Sequence, residues 1–150
     1  HILQLRTPQE IYHSPSHTDV ASFVGAPRVN FLGVRQNAAG HACLQDQPLH
    51  DFFPKHASQL AFRPQQALLT ASDDTLSVRG RITLVEFTGP ECMVTMQTPA
   101  GEAVVVVLDT APHLKIGEVL QVHVPHEAWH VFDTQGHSLR ADRQCLSLAA

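Results

Sequence analysis

The stretch from Gly80 to Phe132 sets the terms for the rest of the chain. It divides into short, β-branched apolar runs separated by turn residues. Arg81 to Phe87 is one run, ended by Gly89 and Pro90. Cys92 to Gln97 is a second, ended by Pro99, Ala100 and Gly101. Glu102 to Leu108, Val119 to Val124 and Trp129 to Phe132 complete the set, and Gly80 reads as its opening. Val, Ile and Thr lose rotamer freedom in a helix and pack well on a pleated surface. Their recurrence about every ten residues, with turn signals between, predicts a meander, barrel or sandwich rather than strand–helix–strand units.

Length and charge narrow the classes. A chain of 150 residues holds one compact domain, or one domain with a small appendage. Net charge is -4 at pH 7, and no cluster of Lys and Arg occurs, so a nucleic-acid backbone is not an expected partner. Cys43, Cys92 and Cys145 are odd in number and fit no zinc or redox spacing, which favours a reducing compartment. The longest apolar run, Ala103 to Leu108, is too short to span a bilayer. The chain begins at His1 rather than Met, which predicts a processed product or a piece of something longer.

The N-terminal part reads differently. Thr7, Pro8 and Glu10 make a helix start, and Pro15 stops that helix after Ile11, Tyr12 and His13. Ser16 to Asp19 repeats the pattern, and a second helix runs from Val20 to Val24 and ends at Gly25. Neither would be stable alone in water, so each needs a body to pack on.

Between these regions, Asn37 to Gly40 reads as a turn and His41 to Leu44 as a strand. Gln45 to His56, with Pro48 and Pro54, reads as irregular chain in which Leu49, Phe52 and Phe53 cover a core edge. Leu60 to Gln66 reads as a strand leading into a turn. Pro64 holds Arg63 in extended backbone, which presents its side chain as a contact point. Asp73 and Asp74 read as a solvated turn.

Chemistry is sparse. No Gly-rich loop with Lys-Ser/Thr is present to cradle phosphates. His123, His126, Glu127 and His130 resemble a ligand cluster, but the expected strand, Pro125, turn and strand do not place His126 and His130 on one helical face. Ser72 and Ser77 have no evident His and Asp partners. Trp129 reads as core or interface, and Cys92 and Met93 as packing. No catalytic residue, metal ligand or cofactor-binding residue is assigned.

Residues 4 to 32 carry a longer pattern: Thr7-Pro8-Gln9-Glu10-Ile11-Tyr12, Pro15, Val20-Ala21-Ser22-Phe23-Val24-Gly25 and Asn30-Phe31-Leu32. This resembles the junction at which ATP-binding subunits of bacterial ABC importers, the maltose-transporter group, leave the nucleotide-binding domain and enter the regulatory domain. The family pattern is Gln-x-Gly-Thr-Pro-x-Glu-x-Tyr, then Phe-Val-Ala-x-Phe-Ile-Gly and Met-Asn-Phe-Leu. Leu5-Arg6, Thr18-Asp19-Val20-Ala21 in place of Phe-Val-Ala, and Val29 depart from it. Leu60 to Gln66 is similar to the family's Gly-Ile-Arg-Pro-Glu-His, with Gln65 in place of Glu. Gly80 to Phe87, Gly117 to Val122 and Trp129 to Leu139 are similar to further family segments, and residues 36 to 58 are the weakest part of the likeness.

The resemblance implies a mainly β fold: an oligonucleotide-binding-like, TOBE-type barrel over residues 31–150, with the Gly33 to Leu69 and Gly80 to Leu139 parts interlocked. Residues 1–30 would be two linker helices from a preceding nucleotide-binding domain, which would hold ATP and Mg. It implies a regulatory and dimerisation domain of an importer for sugars or related solutes, peripheral on the cytoplasmic side of the inner membrane. Its partners would be an identical subunit, the membrane subunits through the nucleotide-binding domain and, in some members, a cytoplasmic regulatory protein, with no nucleic acid. Phe52, Phe53, Arg63 and Trp129 are the candidate interface residues, because apolar groups beside an Arg suit the centre of an interface. Two other readings stand beside it. One is a small-ligand module for an oxyanion such as molybdate, with Ser77, Arg79, Thr83 and Thr88 as donors. The other is a nucleic-acid-binding barrel, which only Phe62-Arg63 supports.

Overall fold

A computed structural model describes residues 29–49, 53–54, 56–109 and 113–139. The two N-terminal helices expected within residues 7–25, and with them the 1–30 boundary, lie outside the described residues. Strands dominate: β1 (Asn30–Gly33), β2 (Arg35–Gln36), β3 (Ala42–Leu44), β4 (Gln47–Pro48), β5 (Gln59–Phe62), β6 (Thr75–Thr88), β7 (Glu91–Gln97), β8 (Ala103–Leu108), β9 (Val119–Pro125) and β10 (His130–Phe132). Among the described residues the only helical pieces are two short 3₁₀ turns, Pro64–Gln66 and His126–Ala128. The fold is therefore mainly β and of the oligonucleotide-binding-like type.

The chain divides into two units, one from His1–Ala61 with His130–Ala150 and one from Phe62–Trp129. In the first, β5 lies between β1 and β10, and β10 runs antiparallel to it with Val131 opposite Leu60. Val29, Ala61 and Phe132 form its buried centre with Phe31 against them. In a second small sheet, β2-β3-β4, β3 is the strand expected over His41 to Leu44, whereas β4 falls where irregular chain is expected. Gln45 and Asp46 take positive φ, 50° and 70°, so the chain reverses in two residues and brings Gln47 opposite Leu44. That conformation usually selects Asn or Gly, which is why Gln45-Asp46 gives no turn signal. Pro48 is tolerated because β4 is an edge strand. The turn over Asn37 to Gly40 is present, and Asn37 Oδ1 accepts the N–H groups of Ala39 and His41, both at 3.0 Å.

The second unit is one four-stranded antiparallel sheet in the order β8-β7-β6-β9. Its long strand β6 has two partners in succession. Thr75 to Arg81 pair with β9, and Arg81 to Thr88 pair with β7. A bulge interrupts the second ladder near its start: Ile82 faces Met96 and Leu84 faces Thr95, leaving Thr83 as the extra residue. Thr83 Oγ1 donates to the Thr95 carbonyl at 3.2 Å. A bulge bends the strand and increases its twist, which lets one strand serve two ladders. It also inverts the alternation. Leu76, Val78 and Ile82 are buried before it, whereas Val85 faces the buried Val94 after it.

Gly80, expected to open this region, lies inside β6 instead. A Cβ there would stand 2.8 Å from Met96 Cγ and 3.1 Å from the Gln97 carbonyl oxygen, so the residue serves a close strand approach rather than a turn. The strand begins five residues earlier, at Thr75, just after the Asp73–Asp74 turn. Its polar Ser77 and Arg79 conceal it, because they occupy the outer face of an alternating strand while Leu76 and Val78 are buried.

Candidate functional site

Arg63 follows β5 in extended backbone (φ -79°, ψ 142°), as the following Pro64 requires. Its N–H donates to Gln66 Oε1 at 3.0 Å, and its carbonyl accepts the Gln66 N–H at 3.0 Å, which closes the 3₁₀ turn. The side chain does not reach outward as a contact point: Arg63 is 1% exposed within the Phe62–Trp129 unit. Trp129 belongs to the same unit and is equally buried. Its indole Nε1–H donates to the Val124 carbonyl at 3.2 Å, and its ring meets Phe62 in an edge contact with centroids 5.0 Å apart. Phe53 is 4% exposed and belongs to the other unit, and Phe52 lies outside the described residues. The three described interface candidates are thus covered by the chain's own packing. Spacing of large side chains in a sequence does not distinguish an interface centre from a core, because both select the same residues.

What faces outward is a different set. Leu84, Phe87, Ile116 and Val119 are large apolar residues with between 44% and 67% of their surface exposed. Leu84 and Phe87 lie on the far part of β6, beyond the bulge. On the β9 side the ladder runs to Arg81, and Ile82 then bonds Gly117 and Glu118. Among the described residues, no ladder on that side continues along Val85 to Thr88.

The same unit holds a cleft of about 570 Å³ lined by Arg79, Gly80, Arg81, Gln97, Thr98, Pro99 and Val119. Arg79 and Arg81 are two apart on β6 and share its outer, exposed face. Arg81 Nη1 donates to the Gly117 carbonyl at 2.7 Å. Gly117 has a φ of +95°, a conformation that favours glycine, so the turn presenting this carbonyl is set by its residue type. On the opposite wall, the buried Thr98 donates from Oγ1 to Glu102 Oε1 at 3.0 Å and accepts the Glu102 N–H at 3.1 Å.

Residues 60–132 match the TOBE domain family. These residues are a TOBE domain. It begins inside β5 and ends with β10, so it takes in the bulged four-stranded sheet, the Arg63 turn and Trp129. Longer relatives extend the likeness. The sn-glycerol-3-phosphate import ATP-binding protein of Vibrio vulnificus (strain CMCP6) is 33% identical over 139 residues, covering 89% of this chain and 37% of that protein. The maltose/maltodextrin import ATP-binding protein of Yersinia pestis bv. Antiqua (strain Antiqua) is 30% identical over 147 residues, covering 90% of this chain and 40% of that protein. The chain spans about two fifths of the length of these curated relatives.

Two features of the TOBE domain bear on catalysis. Ser77 and His123 face each other across β6 and β9, with Ser77 Oγ 2.9 Å from His123 Nδ1. Ser77 therefore has the imidazole partner that the linear sequence, with the two 46 positions apart, conceals. Among the described residues no carboxylate is bonded to that imidazole in the place of a third member that would orient a nucleophile's base. The chain from His123 to His130 runs as the end of β9, a 3₁₀ turn and the start of β10, so His126 and His130 do share no α-helical face. Among the described residues, no group of three or more His, Cys, Asp or Glu is placed to hold a metal ion. Of the oxyanion donors considered from sequence, Ser77 is bonded to His123, Thr83 is the bulge residue, Thr88 ends β6, and Arg79 lines the cleft.

Proposed function

We propose that this chain is the regulatory and dimerisation portion of the ATP-binding subunit of an ABC importer for sugars or related polyol compounds. One observation carries the reading: two proteins named as import ATP-binding proteins align along 89% and 90% of the chain, across the TOBE domain and beyond it. The chain itself has no Gly-rich loop with Lys-Ser/Thr, so nucleotide chemistry would belong to the remainder of a longer subunit. In that reading ATP and Mg bind outside this chain, and the membrane subunits are met by that other portion. The chain pairs with its twin on the cytoplasmic side of the membrane, where a regulatory protein can also meet it. Among the described residues, no helix is long and apolar enough to cross a membrane.

Phe52, Phe53, Arg63 and Trp129 remain the residues proposed to serve that pairing. Because the last three are buried, their part is indirect: they hold the backbone shape that a partner meets. Two measurements test the reading. Sedimentation equilibrium over a wide concentration range should show reversible self-association, and titration of labelled ATP with magnesium should show no affinity tighter than about millimolar. A strictly monomeric chain would overturn the pairing, and saturable micromolar ATP binding would overturn the assignment to a non-catalytic portion.

A further inference from the structure

We propose that the free edge of β6 from Leu84 to Thr88 is a docking site for an extended segment of another protein, one in which apolar residues alternate with Lys or Arg. The inference rests on this edge alone and goes beyond the importer reading. β9 pairs with β6 only as far as Arg81, and the last backbone bonds on that side join Ile82 to Gly117 and Glu118. Among the described residues, neither a strand nor a backbone hydrogen bond follows on that side between Leu84 and Thr88, while β7 holds the other side as far as Thr88. Such a row of open N–H and C=O groups is matched by another strand, which offers partners at the same spacing. A helix does not match it, because its backbone groups are already bonded to one another.

The two faces of this edge set the chemistry of the partner. Residues directly opposite each other in a ladder share a face. Val85 lies opposite Val94 and Phe87 opposite Cys92, and both of those partners are fully buried. The buried layer of the sheet therefore runs out to the edge, where Phe87 is left 66% exposed. Apolar residues on this face of an added strand would continue that layer. The other face carries Leu84 and Glu86, with Glu91 diagonal to Glu86 across the hairpin. Both carboxylates are exposed, and no Lys or Arg occurs from Ile82 to Gln97. Lys or Arg on the outer face of the added strand would meet them without a competitor from the hairpin itself. The same charge disfavours a second copy of this chain. Two β6 edges paired antiparallel about Glu86 set Glu86 opposite its twin, a destabilising like-charge pair, and the next register, about Val85, sets Phe87 opposite the bulged Thr83. Leu84 to Thr88 holds neither the Pro nor the Lys that commonly blunts an edge.

The test is backbone amide NMR with hydrogen exchange on the 150-residue chain. The probe is a capped peptide of alternating Val and Lys, about seven residues long. One control peptide alternates Val and Glu, and a second is the Val-Lys peptide N-methylated at every residue, which removes its strand-pairing donors. The Val-Lys peptide should bind saturably and slow the exchange of alternate amides between Leu84 and Thr88, those not already bonded to β7. Glu86→Lys, at an exposed position, should weaken that binding about tenfold and admit the Val-Glu peptide instead. Phe87→Thr should weaken it about threefold. Absence of saturable binding, equal binding of the methylated peptide, or an affinity unchanged in Glu86→Lys would overturn the site. Protection of the same amides that rises with protein concentration alone would give the edge to a second copy and overturn the proposal as well.

Discussion

The indole of Trp129 stands edge-on to the ring of Phe62, with centroids 5.0 Å apart and planes inclined at 63°. Both residues are buried, and the indole N–H is satisfied by the Val124 carbonyl. Phe62 ends β5 and Trp129 directly precedes β10, so this contact joins the two ends of the Phe62–Trp129 unit. It closes the stretch of chain that carries the bulged sheet.

Replacement of Trp129 should therefore cost fold stability. Trp129→Ala removes the aromatic contact and leaves a cavity, for an expected loss of about 3–5 kcal/mol. Trp129→Phe keeps most of the volume but leaves the Val124 carbonyl without its donor, and should lose less. Urea denaturation of the three proteins checks this. A Trp129→Ala midpoint equal to that of the parent would place the residue outside the core.

Arg63 and Phe87 should separate when tested for self-association. Arg63 is 1% exposed, and Arg63→Glu would set a carboxylate in that buried position. The expected cost is about 3–5 kcal/mol, visible as a lowered thermal midpoint. Phe87 is 66% exposed, so Phe87→Glu should leave the melting temperature nearly unchanged. If twin pairing uses the outward apolar surface of the far half of β6, Phe87→Glu should reduce the association constant about tenfold or more in sedimentation equilibrium. An unchanged constant removes that surface from the interface.

Gly80 should couple to Met96. Gly80→Val forces a branched side chain against Met96 Cγ and the strand behind it, at an expected cost of about 1–3 kcal/mol. Shortening the neighbour relieves part of this, so Gly80→Ala combined with Met96→Ala should lose less than the sum of the single changes. A double-mutant cycle by chemical denaturation reads the coupling. Strict additivity would mean that the close approach is not what selects glycine here.

Asp133 supplies the pH-dependent element. Its Oδ1 accepts the N–H groups of Gln135 and His137, both at 2.9 Å, and its Oδ2 lies 3.8 Å from His137 Nδ1. The backbone N–H of His137 is the main cause that holds this carboxyl below its usual range; partial desolvation opposes it, and the Gln135 N–H and the nearby imidazole add to the lowering. A depressed folded-state pKa means that the stabilisation is present above the unfolded value and is lost as pH falls through the folded one. The Gln135 and His137 amide signals should therefore shift with a midpoint below that of an unperturbed Asp. Asp133→Asn retains an acceptor for both amides and should abolish that midpoint while preserving the turn.

Much of the fold was legible in the chain because its signals are local. The runs that end at Pro99 and Pro125 appear as β7 and β9 within a residue or two, and the run that ends at Gly89 appears as the far part of β6, since β-branched runs and turn residues act over a few positions. The Asn37 turn and the Arg63–Pro64 stop follow from the same short-range chemistry. The hairpin at Gln45–Asp46 does not, because the pair lacks the glycine that marks a two-residue turn at positive φ. Nor does the first part of β6, where Ser77 and Arg79 precede the expected opening at Gly80.

By itself, then, the sequence determined the strand-rich class, the absence of a phosphate-cradling loop and the likeness to importer ATP-binding subunits. Tertiary structure alone decided what each singled-out residue faces. Phe53, Arg63 and Trp129 turned inward, while Leu84 and Phe87 remained outside. Ser77 met His123, and Arg79 and Arg81 came to share a cleft with Gln97. The physical reason is that facing depends on register. Within β6, the single extra residue at Thr83 moves the inward position from Leu76, Val78 and Ile82 to Val85 opposite Val94 and leaves Leu84 outside.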